Sequence, residues 1–115
     1  MLELSEERGK LIKEIIADGC MEINGHKYSI LKFNHKTRLI IIEFLHKMEA
    51  GKAMIGGGDW QLIEKELCQR ITFDGMQVSK IPEHWEGEHA EDYITFMTMA
   101  LQVVAYPFLT GKRTS

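Results

Sequence analysis

Met21-Glu22-Ile23-Asn24-Gly25-His26-Lys27-Tyr28 is the stretch that decides the fold. A two-residue loop between antiparallel strands needs positive φ at both central positions, and Asn-Gly adopts that shape at little steric cost. The segment therefore predicts a β-hairpin, with its second strand running from about Lys27 to Phe33. An isolated hairpin is marginal in water. This one must lie against helices.

Those helices are legible on both sides. Upstream, Leu4, Leu11, Ile12, Ile15 and Ile16 recur at spacings near three and four and predict a helix from Leu2 to Ile16. Ser5 is its expected N-cap, Glu6 and Glu7 sit near the positive end of the dipole, and Gly19 suits the left-handed residue after the last turn. Downstream, Asn34 is the expected cap of a helix from His35 to about Ala50. Its Leu39, Ile40, Ile41, Ile42, Phe44, Leu45 and Met48 cover so wide an arc that the helix is either central or faces a partner chain.

Gly56-Gly57-Gly58 reads as a link, and Asp59 as the cap of a shorter helix from Trp60 to Arg70. Phe73-Asp74-Gly75-Met76 marks a tight turn, so Ile71 to Lys80 forms either a second short hairpin or an extended link. The residue before Pro82 avoids helix, and the last helix is expected from about Glu91 to Tyr106, closed by Pro107. The expected fold is α+β and mainly helical: three to four helices, the hairpin at Asn24-Gly25, and a possible second one near Asp74-Gly75. It forms one domain over 1–115, divided into an N-terminal helix (1–19), a hairpin (20–33), a helical body (34–110) and a frayed tail (111–115).

Composition excludes more than it assigns. The chain has 115 residues, 44% hydrophobic and 27% charged, which fits a globular domain and neither a collagenous nor a disordered one. The net charge of −3 makes the whole molecule no electrostatic attractor for nucleic acid. Two cysteines, Cys20 and Cys68, imply free thiols in a reducing cytoplasm rather than a disulfide framework. The charged start is unlike a signal peptide.

No catalytic constellation stands out. His84 and His89 sit among carboxylates, but neither H-E-x-x-H nor C-x-x-C accompanies them, and no metal site or cofactor is expected. Cys68, beside an apolar stripe, reads as a buried structural thiol. The glycines before Asp59 lack the G-x-x-x-x-G-K-[ST] pattern of a phosphate loop. Charge is uneven, however. Lys27 to Lys52 holds six Lys/Arg against two acids, whereas Glu83 to Asp92 holds five acids and no Lys/Arg. Glu83, Glu86, Glu88, Glu91 and Asp92 thus form a candidate acidic patch, read either as a solvated face or as a surface that aligns a partner. The seven methionines fit either core filling or an adaptable binding surface.

The run from Ile71 to Trp85, together with Glu91-Asp92-Tyr93, Ala100 to Phe108 and Phe33-Asn34-His35, resembles the small tail assembly chaperones of long-tailed bacteriophages. The resemblance covers about residues 28–110 and its motifs are structural. It implies a non-enzymatic factor of the host cell cytoplasm, absent from the mature virion. Such a factor binds the tape measure protein, keeps it soluble and recruits tail tube protein. The resemblance further suggests that Phe73, Trp85, Tyr93 and Tyr106 stabilise the fold. Leu39, Ile42, Leu45 and Met97 are the candidates for a self-association or client face of a homo-oligomer. The rival reading is a small phage inhibitor that docks on a host or defence protein through its acidic patch. Neither reading calls for a nucleic-acid or membrane partner.

Overall fold

The computed structural model describes the backbone of residues 4–113 and the side chains of residues 4–106. Among these residues the order is α1 (Glu6–Asp18), β1 (Cys20–Ile23), β2 (His26–Ile30), α2 (His35–Glu49), α3 (Gly58–Arg70), β3 (Ile71–Phe73), β4 (Met76–Gln77) and α4 (Tyr93–Arg113). Three short 3-10 turns, Val78–Lys80, His84–Glu86 and Ala90–Asp92, lead from β4 into α4. The protein is α+β and mainly helical.

The hairpin forms where Asn-Gly demands it. Asn24 and Gly25 have φ of 51° and 82°, and β1 pairs with β2 from Cys20 opposite Ser29 to Ile23 opposite His26. Asp74 and Gly75 repeat the geometry at 53° and 81°. Ile71 to Gln77 is therefore a second hairpin, and the remaining Val78–Lys80 winds into a 3-10 turn. The two hairpins join through antiparallel pairing of β2 with β3, Tyr28 opposite Phe73 and Ile30 opposite Ile71. The result is one four-stranded sheet in the order β1-β2-β3-β4, with α2 and α3 inserted between its halves. Alternation sets its faces: Met21, Ile23 and Tyr28 are buried, while Glu22, Lys27 and Ser29 are exposed.

Local chemistry fixes three of the helix ends. The Ser5 hydroxyl accepts from the Arg8 amide at 3.1 Å, and the Asn34 side chain accepts from the Thr37 amide at 2.8 Å. Gly19 closes α1 at φ 71°, donating its N–H to the Ile15 carbonyl. At α3 the expected cap is displaced. Gly57 is the cap, without a side-chain bond, and Asp59 lies inside the first turn. There its charge still faces the positive end of the helix and approaches Lys47 at 3.6 Å.

The last helix is the larger correction. Pro107 does not close α4, which continues to Arg113. Proline lacks the N–H that would bond to the Val103 carbonyl, so one rung of the ladder is absent. The preceding turns are held by packing rather than by that rung: Phe96, Met97, Leu101, Val104 and Ala105 are all buried. Gly111 to Arg113 consequently belong to the helix rather than to a frayed tail, and 114–115 of that tail lie outside the described residues.

α4 is the centre of the packing, touching α1, α2 and α3. Arg8 ties α1 to it, its Nε donating to Oε1 of the buried Gln102 at 2.7 Å. α2 packs against α4 and α3, and its Ile41, Phe44 and Leu45 are buried. Met21, Met97 and Met99 are core, whereas Met54 and Met76 are exposed. Phe73, Trp85, Tyr93 and Tyr106 pack half-buried around the core. No helix among the described residues is long and apolar enough to cross a membrane.

Candidate functional site

Asp92 is buried at 1% exposure, although it closes a run of surface carboxylates. A buried carboxylate requires hydrogen-bond donors, and the first hairpin supplies them. Its Oδ1 accepts from the Asn24 side-chain amide at 2.8 Å, and its Oδ2 accepts from the Tyr28 hydroxyl at 3.0 Å and from His26 Nδ1 at 2.8 Å. Tyr28 has one proton and gives it to Asp92, so the 2.8 Å bond between Tyr28 and His84 runs the other way, from His84 Nε2–H to the phenol oxygen. The tight turn places Asn24 and His26 at one end of the strand pair, and the pleat aims Tyr28 at the same carboxylate.

Burial alone would raise the Asp92 carboxyl. The bonds from Asn24, His26 and Tyr28, with the nearby His26 charge, outweigh it and hold the group below its ordinary value. Burial, reinforced by the Asp92 charge, pushes the Tyr28 phenol far up. His84 moves downward, mainly through burial and then through the neighbouring His89 and His26, with Asp92 opposing.

Aromatic rings enclose the network. His84 and His89 stack at 4.5 Å with a 6° interplanar angle, and His26 meets His89 edge-on at 4.4 Å. Phe73 contacts His26, His84 and His89, and Trp85 packs between Tyr28, Tyr93 and Phe96. His89 Nδ1 is buried without a hydrogen-bond partner, 3.5 Å from Asp92 Oδ2. His26, His89 and Asp92 each present one donor atom within 4.8 Å of the others, a set that could hold a metal ion. A cavity of about 480 Å³ opens beside His84 and His89, with Asp74, Glu83 and Glu88 among its lining.

No family model matches the chain, and neither the curated proteins nor the solved structures contain a significant match.

The expected sites fare unequally. Glu83, Glu86, Glu88 and Glu91 are exposed as anticipated. Asp92 is not part of that patch: the hydrogen bonds from the first hairpin turn it inward. Of the apolar candidates, Leu39 is 48% exposed and Ile42 half-buried, but Leu45 and Met97 are fully buried and offer no face. Both side chains belong to the continuous hydrophobic core. Cys68 is buried beside Glu64, and burial with that charge pushes its thiol up to about 12. Tyr93 donates to Glu64 and accepts from Trp60 Nε1 at 2.8 Å, and is likewise raised to about 12, mainly by burial.

Sequence reasoning missed His26 and Tyr28 as site residues, and the groove at the other end of the sheet. That groove has a volume of about 370 Å³. Ile15, Ile16, Ile30, Leu31, Phe33, Val103 and Val104 form its apolar wall, and Lys32 and Arg38 its basic part. Ile16 and Leu31 are exposed, and Arg38 Nε is buried with no hydrogen-bond partner.

Proposed function

We infer that the protein is a non-enzymatic tail assembly chaperone of a long-tailed bacteriophage, which binds the tape measure protein and keeps it soluble until tail tube protein assembles around it. The observation that carries this reading is the apolar groove between α1, the end of β2 and α4. Such a groove suits an amphipathic helix laid along it. Ile16 and Leu31 would meet the helix's apolar stripe, and an acidic residue beside that stripe would satisfy the orphaned Arg38 Nε. The resemblance along residues 28–110 supports the same class of client.

A tape measure protein is long and helical, and it exposes apolar seams until the tube encloses it. A small chaperone would coat it in several copies, with exposed Leu39 and half-buried Ile42 on α2 as the remaining candidates for contact between copies. The work is done in the host cytoplasm and the chaperone leaves before the virion matures.

Co-expression tests the proposal. Tape measure protein should become soluble in the presence of this chain and precipitate when Ile16→Glu and Leu31→Glu are combined. Equal solubility with and without the chain would overturn it. The inhibitor reading keeps four exposed acids but loses Asp92, and the same co-expression separates it, since an inhibitor leaves tape measure solubility unchanged.

A further inference from the structure

We propose that His26, His89 and Asp92 form a binding site for a divalent transition-metal ion of the zinc class, independent of the client groove. Two imidazoles and a carboxylate are ligands of the type zinc takes, and three protein ligands leave a fourth position open. Asp92 Oδ2 is the common point, 2.8 Å from His26 Nδ1 and 3.5 Å from His89 Nδ1. Ligand atoms about 2.0–2.2 Å from a tetrahedral ion lie roughly 3.3 Å apart. His89 stands near that separation from Asp92, His26, which is 32% exposed, has to withdraw from it by about half an ångström, and the three ligand atoms lie within 4.8 Å of one another.

The second observation is the state of His89. Its Nδ1 is buried and makes no hydrogen bond. A buried nitrogen without a hydrogen bond is costly in a purely structural cluster. It is what a ligand atom looks like before its ion arrives. The other ring nitrogen, Nε2, lies 3.6 Å from the exposed Glu88 carboxylate, which adds negative charge beside the ring.

The surrounding groups complete the arrangement. Asn24 holds Asp92 Oδ1, while His84 reaches Asp92 through the Tyr28 hydroxyl. These contacts orient the carboxylate, and the cavity lined by Asp74, Glu83 and Glu88 offers a cation an acidic approach to His89. On binding, the ion displaces the proton from His26 Nδ1: a protonated ring releases it to solvent, and the ring ligates as the neutral Nε2–H tautomer. No short motif announces the site, because His26 lies 66 residues from Asp92.

The experiment uses the full chain, stripped with chelator and titrated with zinc alone by calorimetry, and with cobalt(II) by absorption. The expected result is one ion per chain and a cobalt spectrum of tetrahedral nitrogen–oxygen coordination. Affinity should fall at least tenfold in His89→Ala and His26→Ala and stay unchanged in His46→Ala, which alters an exposed histidine of α2. Histidine ¹⁵N resonances of the unsubstituted chain keep the proposal falsifiable if a variant misfolds, because zinc must shift Nδ1 of both His26 and His89. Absence of saturable binding, equal affinity in His89→Ala, or unmoved Nδ1 resonances would overturn it.

Discussion

The Tyr28 hydroxyl donates to Asp92 Oδ2 at 3.0 Å, joining the first hairpin to the residue immediately before α4 across 64 positions of chain. Both partners are buried, and the same oxygen of Tyr28 accepts a hydrogen bond from His84 Nε2–H. Tyr28→Phe keeps the ring in its place and leaves two polar atoms short of a partner. The variant should lose about 1–3 kcal/mol of stability, the usual cost of orphaning a buried group. Urea unfolding checks this, and an unchanged midpoint would show that the hydroxyl contributes nothing.

Acid should weaken the protein in two stages. His84 is held below its ordinary 6.5 by burial and by His89 and His26, so the unfolded chain binds its proton first. Stability therefore declines as pH drops below 6.5 towards the lower folded value. Asp92 is held below its ordinary 3.8, so its contribution is present above 3.8 and disappears as pH falls through the folded value. Thermal melts across pH should show His84→Gln flattening the upper stage and Asp92→Asn flattening the lower one.

Leu39 and Leu45 lie on one helix in opposite settings, 48% and 0% exposed. Leu45→Ala should cost about 2–5 kcal/mol through lost burial and the cavity left behind. Leu39→Ala should change stability by no more than about 0.5 kcal/mol. If copies of the chain meet through α2, only Leu39→Ala will reduce the apparent mass in sedimentation without lowering the melting temperature.

The two hairpin turns make a matched pair. Gly25 and Gly75 have φ of 82° and 81°, and a Cβ at either would meet open space. Gly25→Ala and Gly75→Ala should each cost about 1–2 kcal/mol by backbone strain alone. A loss confined to Gly25→Ala would mean that the shorter second hairpin accommodates the substitution by opening.

Elements with local causes were legible in the sequence. Ser5, Asn34 and Gly19 are short-range signals for helix ends, and Asn24-Gly25 fixes its turn without help from the rest of the chain. Asp74-Gly75 carried the same information, but the flanking strands are too short to distinguish pairing from an extended link before β2 is there to receive Ile71. Pro107 misleads because proline's cost is local whereas the packing of α4 is not.

The site was largely hidden for the same reason. In sequence, Asp92 is one more acid after Glu83, Glu86, Glu88 and Glu91, and nothing in that run distinguishes the buried carboxylate from the solvated ones. Only His26, Asn24 and Tyr28 make the distinction, and they stand more than sixty residues away. Leu45 and Met97 read as candidates for a contact face, yet both are buried: apolar residues on a helix do not say which side the neighbouring helix takes.

The long reach from Tyr28 to Asp92 also imposes an order on biosynthesis. The first hairpin can close within about 1–10 μs of leaving the ribosome. The ribosome needs roughly 3–13 s to translate the 64 residues that separate Tyr28 from its acceptor. Throughout that interval Tyr28 and His26 lack their Asp92 partner, and the hairpin lacks α4 to cover it. Nascent chains released before Tyr93 should remain protease-sensitive however well their early helices form, and resistance should arrive late, with the last element.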